Sequence, residues 1–171
     1  MANYVIADPF IGAPAPASVT ATSQYWPLGL ECRAVDISSG ASQLGGAVFR
    51  YCQGSDVGTA GLVVYIQSNQ AIKLGATQNY PVGIAAGALS ATNVYGWVQV
   101  QGLCDYMRGT NVSIGAASAL YIGTAAGFVQ SGSAAASRIY GMLPSASYTS
   151  SQSLSMSVEL NRPYVGVTAS N

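Results

Sequence analysis

The clearest pattern in the chain is a strict alternation over residues 93–102, which read Asn-Val-Tyr-Gly-Trp-Val-Gln-Val-Gln-Gly. A period of two residues is typical of a β-strand whose two faces have different surroundings. Val94, Gly96, Val98 and Val100 share one face, which predicts that this face packs in the core. The opposite face carries no charge, and we expect it to be half hydrated or to form a subunit interface through Tyr95, Trp97, Gln99 and Gln101.

Short strands of the same kind are predicted throughout the chain from about residue 30 onward. In residues 30–37 the alternation places Glu31 and Arg33 on a solvent face and Cys32 inward. The apolar run 61–67 and the turn residues after it predict a hairpin with residues 71–74. The alternation over 155–161 predicts another strand. Many short strands separated by Gly-rich turns are typical of an all-β sandwich or barrel, so we predict one β domain over residues 30–171.

The first 29 residues have no sustained period and contain several prolines, which favour extended backbone. Large apolar side chains are spaced along this segment, unlike a frayed terminus, which is usually poor in aromatics. We predict that residues 1–29 form an extended arm that binds in a groove on its own domain, a sister subunit or a foreign surface. The anchoring residues are predicted to be Tyr4, Ile6, Phe10, Ile11, Tyr25 and Trp26.

The charge composition argues for association with other proteins. Charged residues make up 7% of the 171 residues, and six acidic side chains balance six basic ones. Such a chain has no net field to attract nucleic acid or an anionic membrane. Low net charge also promotes association. An obligate oligomer or an assembly subunit buries such a surface in contacts with its neighbours. We therefore expect a homo-oligomer that binds neither nucleic acid nor membrane.

The residues available for catalysis are few. The chain contains no histidine, so the usual general base and the commonest metal ligand are both missing. Lys73 is the single lysine, and it is better explained as a surface charge that protects an edge strand. No phosphate-binding glycine motif is present. The scattered acids lack an organised spacing, so we expect no enzyme, no metal and no cofactor; the carboxylates considered are Asp36, Asp56, Asp105 and Glu159.

The cysteines and the start of the chain indicate the cellular compartment in which the protein folds. Cys32, Cys52 and Cys104 are far apart and form no metal or redox motif. Cys32 and Cys104 lie in strand-like runs, so a small buried apolar role is expected for these two. An odd number of cysteines argues for folding in a reducing compartment. The start of the chain lacks the pattern of a signal peptide. Proline, glycine and polar residues within 74–104 argue against a membrane-spanning helix.

Three stretches resemble small structural proteins of tailed-bacteriophage heads: residues 80–85 (Tyr-Pro-Val-Gly-Ile-Ala), residues 95–102 and residues 139–143 (Ile-Tyr-Gly-Met-Leu). The resemblance covers roughly the second half of the chain. It is to capsid decoration, or cement, proteins, and it implies a small β-barrel or β-tulip domain. Such domains are usually trimeric and lie outside the head, with a terminal arm that clamps neighbouring capsid subunits.

The resemblance and the composition together predict a non-catalytic decoration protein. Its partners are expected to be the major capsid protein and two further copies of the chain. We expect folding in the host cytoplasm and final location on the capsid surface of the virion. The alternative is a head-fibre, tail or receptor-binding module that recognises a host surface glycan, for which Tyr95, Trp97 and Gln99 would form the sugar platform.

Overall fold

The computed structural model describes residues 4–8, 15–37, 45–75, 80–109, 112–123, 125–132, 137–150 and 154–166. Within these ranges the chain forms strands and turns and no helix, which confirms the predicted all-β class. The strands are β1 (Tyr4–Ile6), β2 (Ala15–Pro16), β3 (Glu31–Asp36), β4 (Gly46–Gly54), β5 (Val63–Gln67), β6 (Gln70–Lys73), β7 (Val82–Ala85), β8 (Tyr95–Gly109), β9 (Val112–Ile114), β10 (Leu120–Ile122), β11 (Val129–Ser131), β12 (Arg138–Pro144), β13 (Tyr148–Ser150) and β14 (Leu154–Gly166).

Strand β8 connects the two halves of the fold. Between Tyr95 and Gln101 it pairs antiparallel with β4, and between Gln101 and Gly109 it pairs antiparallel with β14. On the side away from β4, Val98 and Gln99 also pair with β7. Residues 95–102 of the predicted strand are therefore the first half of a strand of 15 residues, and residues 93 and 94 precede it.

The pairings close two circuits of strands that share β8. The first circuit runs β4–β6–β5–β7–β8, and the second runs β8–β14–β12–β10–β11. Two pairings, β4 with β6 and β11 with β8, are parallel and close the circuits, while the other pairings in them are antiparallel. The predicted hairpin is confirmed: β5 and β6 join through Ser68 and Asn69, whose φ angles of 48° and 63° suit a two-residue hairpin turn.

Both faces of β8 are buried from Gly96 to Val100. Val98 and Val100 pack inside the first circuit against Cys52, Val64 and Ile66, as the alternation predicts. The opposite face enters a larger apolar cluster that includes both circuits; its members around β8 include Phe49, Tyr51, Trp97, Met107 and Met142. Complete burial of one large apolar side chain contributes about 1.5–3 kcal/mol, so both faces stabilise the strand.

Gly102 marks the point where β8 passes from one circuit to the other. Its φ of +94° is a conformation that side chains disfavour. A Cβ at this position would lie 2.6 Å from the Gly46 carbonyl oxygen and 2.9 Å from the Ala47 Cα. The register also shifts on each side of Gly102, in the pairing with β4 and in the pairing with β14. Such bulges bend a strand, and here they redirect β8.

The described part of the N-terminal segment packs on its own domain. β1 pairs with β3 and β2, and the side chains of Tyr4 and Ile6 are buried in the larger cluster. Ala17 is buried there too, and Ala21 forms a bridge with Tyr95. Of the three binding places predicted for the arm, these residues occupy the one on their own domain. Their contacts cross the predicted boundary at residue 29.

Strand β14 confirms the alternation over 155–161 but continues further than expected. Met156, Val158 and Leu160 are buried while Glu159 is exposed. β14 runs on through Arg162 and Pro163 to Gly166, although a proline cannot donate a backbone hydrogen bond to a neighbouring strand. The strand accommodates them because Arg162 takes a φ of +45°, which re-aims the backbone without ending the pairing with β12.

Replacing Gly102 with Ala is expected to lower the free energy of unfolding by about 2–4 kcal/mol, because the new Cβ is both strained and overpacked. Urea denaturation measures this change. Gly58→Ala is the matched control, since a Cβ there meets nothing within 4 Å, and its effect should stay within about 0.5 kcal/mol. Equal effects of the two substitutions would contradict the role assigned to Gly102.

Candidate interaction surface

Four of the predicted site residues meet in one aromatic cluster. Trp26 lies 5.3 Å from Trp97 between ring centroids, and Tyr25 lies 5.9 Å from Trp26. Tyr51 joins the cluster at 5.0 Å from Trp97, with Tyr95 stacked on it at 6.4 Å. Ring pairs in such tilted and edge-on arrangements each add about 0.5–1.5 kcal/mol beyond area burial. The N-terminal segment and the start of β8 are thus held together by aromatic packing.

Only the outer part of this cluster is open to a partner. Trp97 is 1% exposed, whereas the ring of Tyr25 is 68% exposed. Trp26 and Tyr95 are half-buried, and Val19 beside them is exposed. A hollow of about 80 Å³ lies between these side chains. The expectation that Trp97 presents a surface is therefore corrected: it is buried, and Trp26 packs against it.

Gln99 is buried as well, and its amide stabilises the bend of β8. Its Nε2 donates to the carbonyl oxygen of Leu103 at 3.0 Å, and its Oε1 accepts from the Tyr106 hydroxyl at 2.8 Å. The Tyr4 hydroxyl donates to the same Leu103 carbonyl oxygen at 2.6 Å. Burial raises the pKa of Tyr106 well above its ordinary value. Gln99 thus satisfies polar groups around Gly102 and offers no atoms to a partner subunit.

Gln101 keeps the exposure that the sequence predicts. It lines a groove of about 330 Å³ together with Arg33 and the small residues Ala34, Ala47 and Gly102. Val35 lines the same groove and is 51% exposed. Because most of these residues are small or apolar, the groove can receive an apolar side chain from another protein.

Sequence reasoning missed Val35 and Ile37, which are 51% and 57% exposed. The signal was available in the alternation of β3. The same period that places Arg33 on the solvent face places Val35 and Ile37 there too. These residues add apolar surface beside the groove lined by Gln101.

The placement of the six predicted anchors differs from residue to residue. Tyr4 and Ile6 lie in the protein interior, so their side chains are not available to a capsid. Tyr25 is exposed, and Trp26 is half-buried beneath it. Phe10 and Ile11 lie outside the described residues.

Two of the described acidic side chains, Glu31 and Asp56, accept hydrogen bonds that join strands or turns. Glu31 accepts two hydrogen bonds from Arg162, at 3.1 and 2.8 Å. Asp56 accepts from the backbone N–H of Lys73 at 3.0 Å. Among the described residues, no group of three or more His, Cys, Asp or Glu side chains could hold a metal ion. In the same part of the chain no helix is long and apolar enough to cross a membrane.

All three cysteines are free thiols buried in the core. Burial raises the pKa of Cys32 to about 11 and the pKa values of Cys52 and Cys104 to about 12. This agrees with the small apolar role predicted for Cys32 and Cys104. The thiols therefore remain protonated at neutral pH. Because the thiolate is the reactive form of cysteine, these residues are expected to be unreactive in the folded protein.

Gln99→Met is expected to lower the free energy of unfolding by about 1–3 kcal/mol, because it leaves the Tyr106 hydroxyl buried without its acceptor. Gln101→Met is the control in the same strand and should change stability by less than about 0.5 kcal/mol. Thermal or urea unfolding compares them. If Gln101→Met costs as much as Gln99→Met, the buried amide has no special role.

The stability of the protein is expected to fall as pH rises from about 9 towards 12. Thiols with the ordinary pKa of 9.0 ionise in the unfolded chain across this range, whereas burial keeps Cys52 protonated in the folded chain up to about 12. Cys52→Ala removes the contribution of this thiol to the pH dependence of stability. The stability difference between wild type and Cys52→Ala should therefore shrink by about 1–2 kcal/mol between pH 8 and pH 10.5.

Urea unfolding at the two pH values measures that difference. Thiol titration with Ellman's reagent provides a second measurement, and we expect reaction only after denaturation. Rapid reaction of the native protein, or a pH-independent difference between wild type and variant, would show that the thiol is not buried as described.

Comparisons with known proteins add no family to these observations. The chain has no significant match among protein-family models, curated proteins or solved structures. Its function is therefore argued from its own residues.

Proposed function

We propose that this chain is a non-catalytic structural protein of a tailed-bacteriophage head. In this proposal it is a decoration, or cement, protein that binds the outside of the shell as a homotrimer and stabilises it. The observation that carries the proposal is an apolar surface on a chain with few charges. Charged residues make up only 7% of the sequence. Among the described residues, six large apolar side chains are 43–68% exposed: Val19, Tyr25, Val35, Ile37, Leu143 and Tyr164.

Two of the exposed regions suit two different protein contacts. Tyr25 and Val19 stand on a rigid aromatic base, and a rigid ring that needs little ordering is a favourable contact residue at an interface. We assign this patch to the capsid. The groove beside Gln101 and Val35 is lined mostly by small or apolar residues, as the core of a subunit contact would be, and we assign it to the trimer.

The proposed mechanism is stabilisation by binding. A protein that binds the assembled shell and not its dissociated subunits stabilises the shell by mass action. A trimer raises the effect further, because three modest contacts act together through their effective concentration. The resemblance of residues 80–85, 95–102 and 139–143 to head-associated phage proteins supports the same proposal.

A second candidate function is a fibre or receptor-binding module that recognises a glycan. The exposed ring of Tyr25 beside the small hollow favours this candidate, because sugar rings stack on aromatic faces. Trp97 and Gln99 cannot form the platform as first expected, since both are buried. The contact residue in either function is thus Tyr25.

Purified protein is expected to co-sediment with phage heads, and Tyr25→Ala should weaken this binding at least about tenfold because three copies of the contact are lost together. Tyr164→Ala is the matched control, since Tyr164 is also an exposed ring, at 52%. A point substitution is preferable to deleting residues 1–29, because that deletion would remove Tyr4, Ile6 and Trp26 from the protein's own packing.

Light scattering during size-exclusion chromatography then checks that Tyr25→Ala remains a trimer. Equal binding of both variants to heads would refute the role of Tyr25, and absence of wild-type binding would refute the decoration function. Glycan binding that is lost in Tyr25→Ala, without binding to heads, would support the second candidate.

A further inference from the structure

A cavity of about 240 Å³ opens beside one end of the first circuit of strands. Its apolar lining includes Ile66, Val82 and Val100, which are 5% exposed or less and belong to β5, β7 and β8. The mouths of closed strand circuits are common positions for small-ligand sites. The volume is below the range of about 300–1,000 Å³ typical of drug-sized ligands, so this cavity suits a short one.

Strand β14 forms one wall of the cavity through its unusual last part. Arg162, Pro163 and Tyr164 line it, and Tyr164 forms a bridge with Pro81, which also lines the cavity. Arg162 is held at a φ of +45°, which is costly for a residue other than glycine. This backbone conformation carries β14 past the cavity.

Three charged residues line the same cavity: Glu31, Arg50 and Arg162. The guanidinium of Arg162 donates to both oxygens of Glu31, so these two charges neutralise each other. Hydrogen bonding to Glu31 raises the pKa of Arg162, which stays protonated. With two arginines and one glutamate, the lining has a net charge of +1, and Arg50 supplies the charge that Glu31 does not balance.

Arg50 has an incomplete set of hydrogen bonds. Its Nη2 donates to the neutral amide oxygen Oδ1 of Asn69 at 2.7 Å. Its Nε is buried and has no hydrogen-bond partner among the residues that the structure describes. A buried donor without a partner is costly, and a guanidinium forms its strongest hydrogen bonds with a charged acceptor.

We propose that this cavity binds a carboxylate attached to a short apolar group. The carboxylate pairs with the guanidinium of Arg50, and the apolar group rests on Ile66, Val82 and Val100. One negative charge neutralises the net charge of the lining, and the small volume limits the apolar group to a few carbons. The carboxylate can belong to a free acid or to the C-terminal residue of a peptide.

The test is a titration of methyl-labelled protein with sodium hexanoate, followed by two-dimensional NMR. We expect saturable shifts of the Ile66, Val82 and Val100 methyl signals. Hexan-1-ol has the same apolar chain without the charge and should bind about tenfold more weakly. Equal binding of the acid and the alcohol, or no saturable shift of these methyl groups, would overturn the proposal.

Arg50→Gln should weaken hexanoate binding about tenfold, because it removes one charge-assisted hydrogen bond. Lys73→Gln is the matched control: it removes the same charge from a residue outside the cavity lining and should leave binding unchanged. Equal effects of the two variants would show that net charge alone attracts the anion and would overturn the site. If Arg50→Gln does not fold, the comparison of acid and alcohol on the wild type decides.

The tripeptide Gly-Gly-Leu and its C-terminal amide distinguish the two sources of the carboxylate. Binding of the free-carboxylate peptide at least as tight as that of hexanoate, with loss in the amide, identifies a peptide C-terminus as the natural form. Weaker binding of the peptide than of hexanoate identifies a free acid. Both results retain the carboxylate site, and neither depends on the proposed function.

Discussion

The structure depends on one strand that must be buried on both faces while it serves two circuits. β8 can pair with β4 and with β14 only if it bends between them, and the bend brings it within contact distance of the Gly46 backbone. Glycine satisfies the steric requirement at residue 102, and Gln99 satisfies the polar one at the Leu103 carbonyl oxygen. Because a bent strand inside a core exposes its backbone groups to apolar surroundings, these two residues are needed together.

The sequence predicted the strands well because period two is a local property. The alternations over 93–102 and 155–161 and the hairpin after residue 67 all appear as expected. What covers each face is not local. Trp97 is covered by Trp26, about 70 residues earlier, and Gln99 finds Tyr106 only because the chain bends at Gly102. An amide on a strand looks the same in sequence whether water or a buried hydroxyl is its partner, so Gln99 was placed at a surface.

The surface was predicted less well for a related reason. Aromatic residues favour both interiors and interfaces, and composition alone cannot divide them. Packing assigns Trp97 to the interior and Tyr25 to the surface. Val35 and Ile37 could have been recognised by continuing the period of β3, but their apolar character suggested burial. The low charge content, in contrast, can be interpreted without knowledge of the fold. Any surface that this chain forms carries few charges, so electrostatic repulsion between copies is weak.

The sharing of β8 has a consequence for how the protein can be divided. Neither circuit closes without this strand, so no cut of the chain leaves one half with its own complete set of backbone pairings. Most of those pairings also join residues far apart in sequence, which makes their formation slow. We therefore expect the two circuits to fold and unfold as one cooperative unit, although each circuit is a closed set of strands.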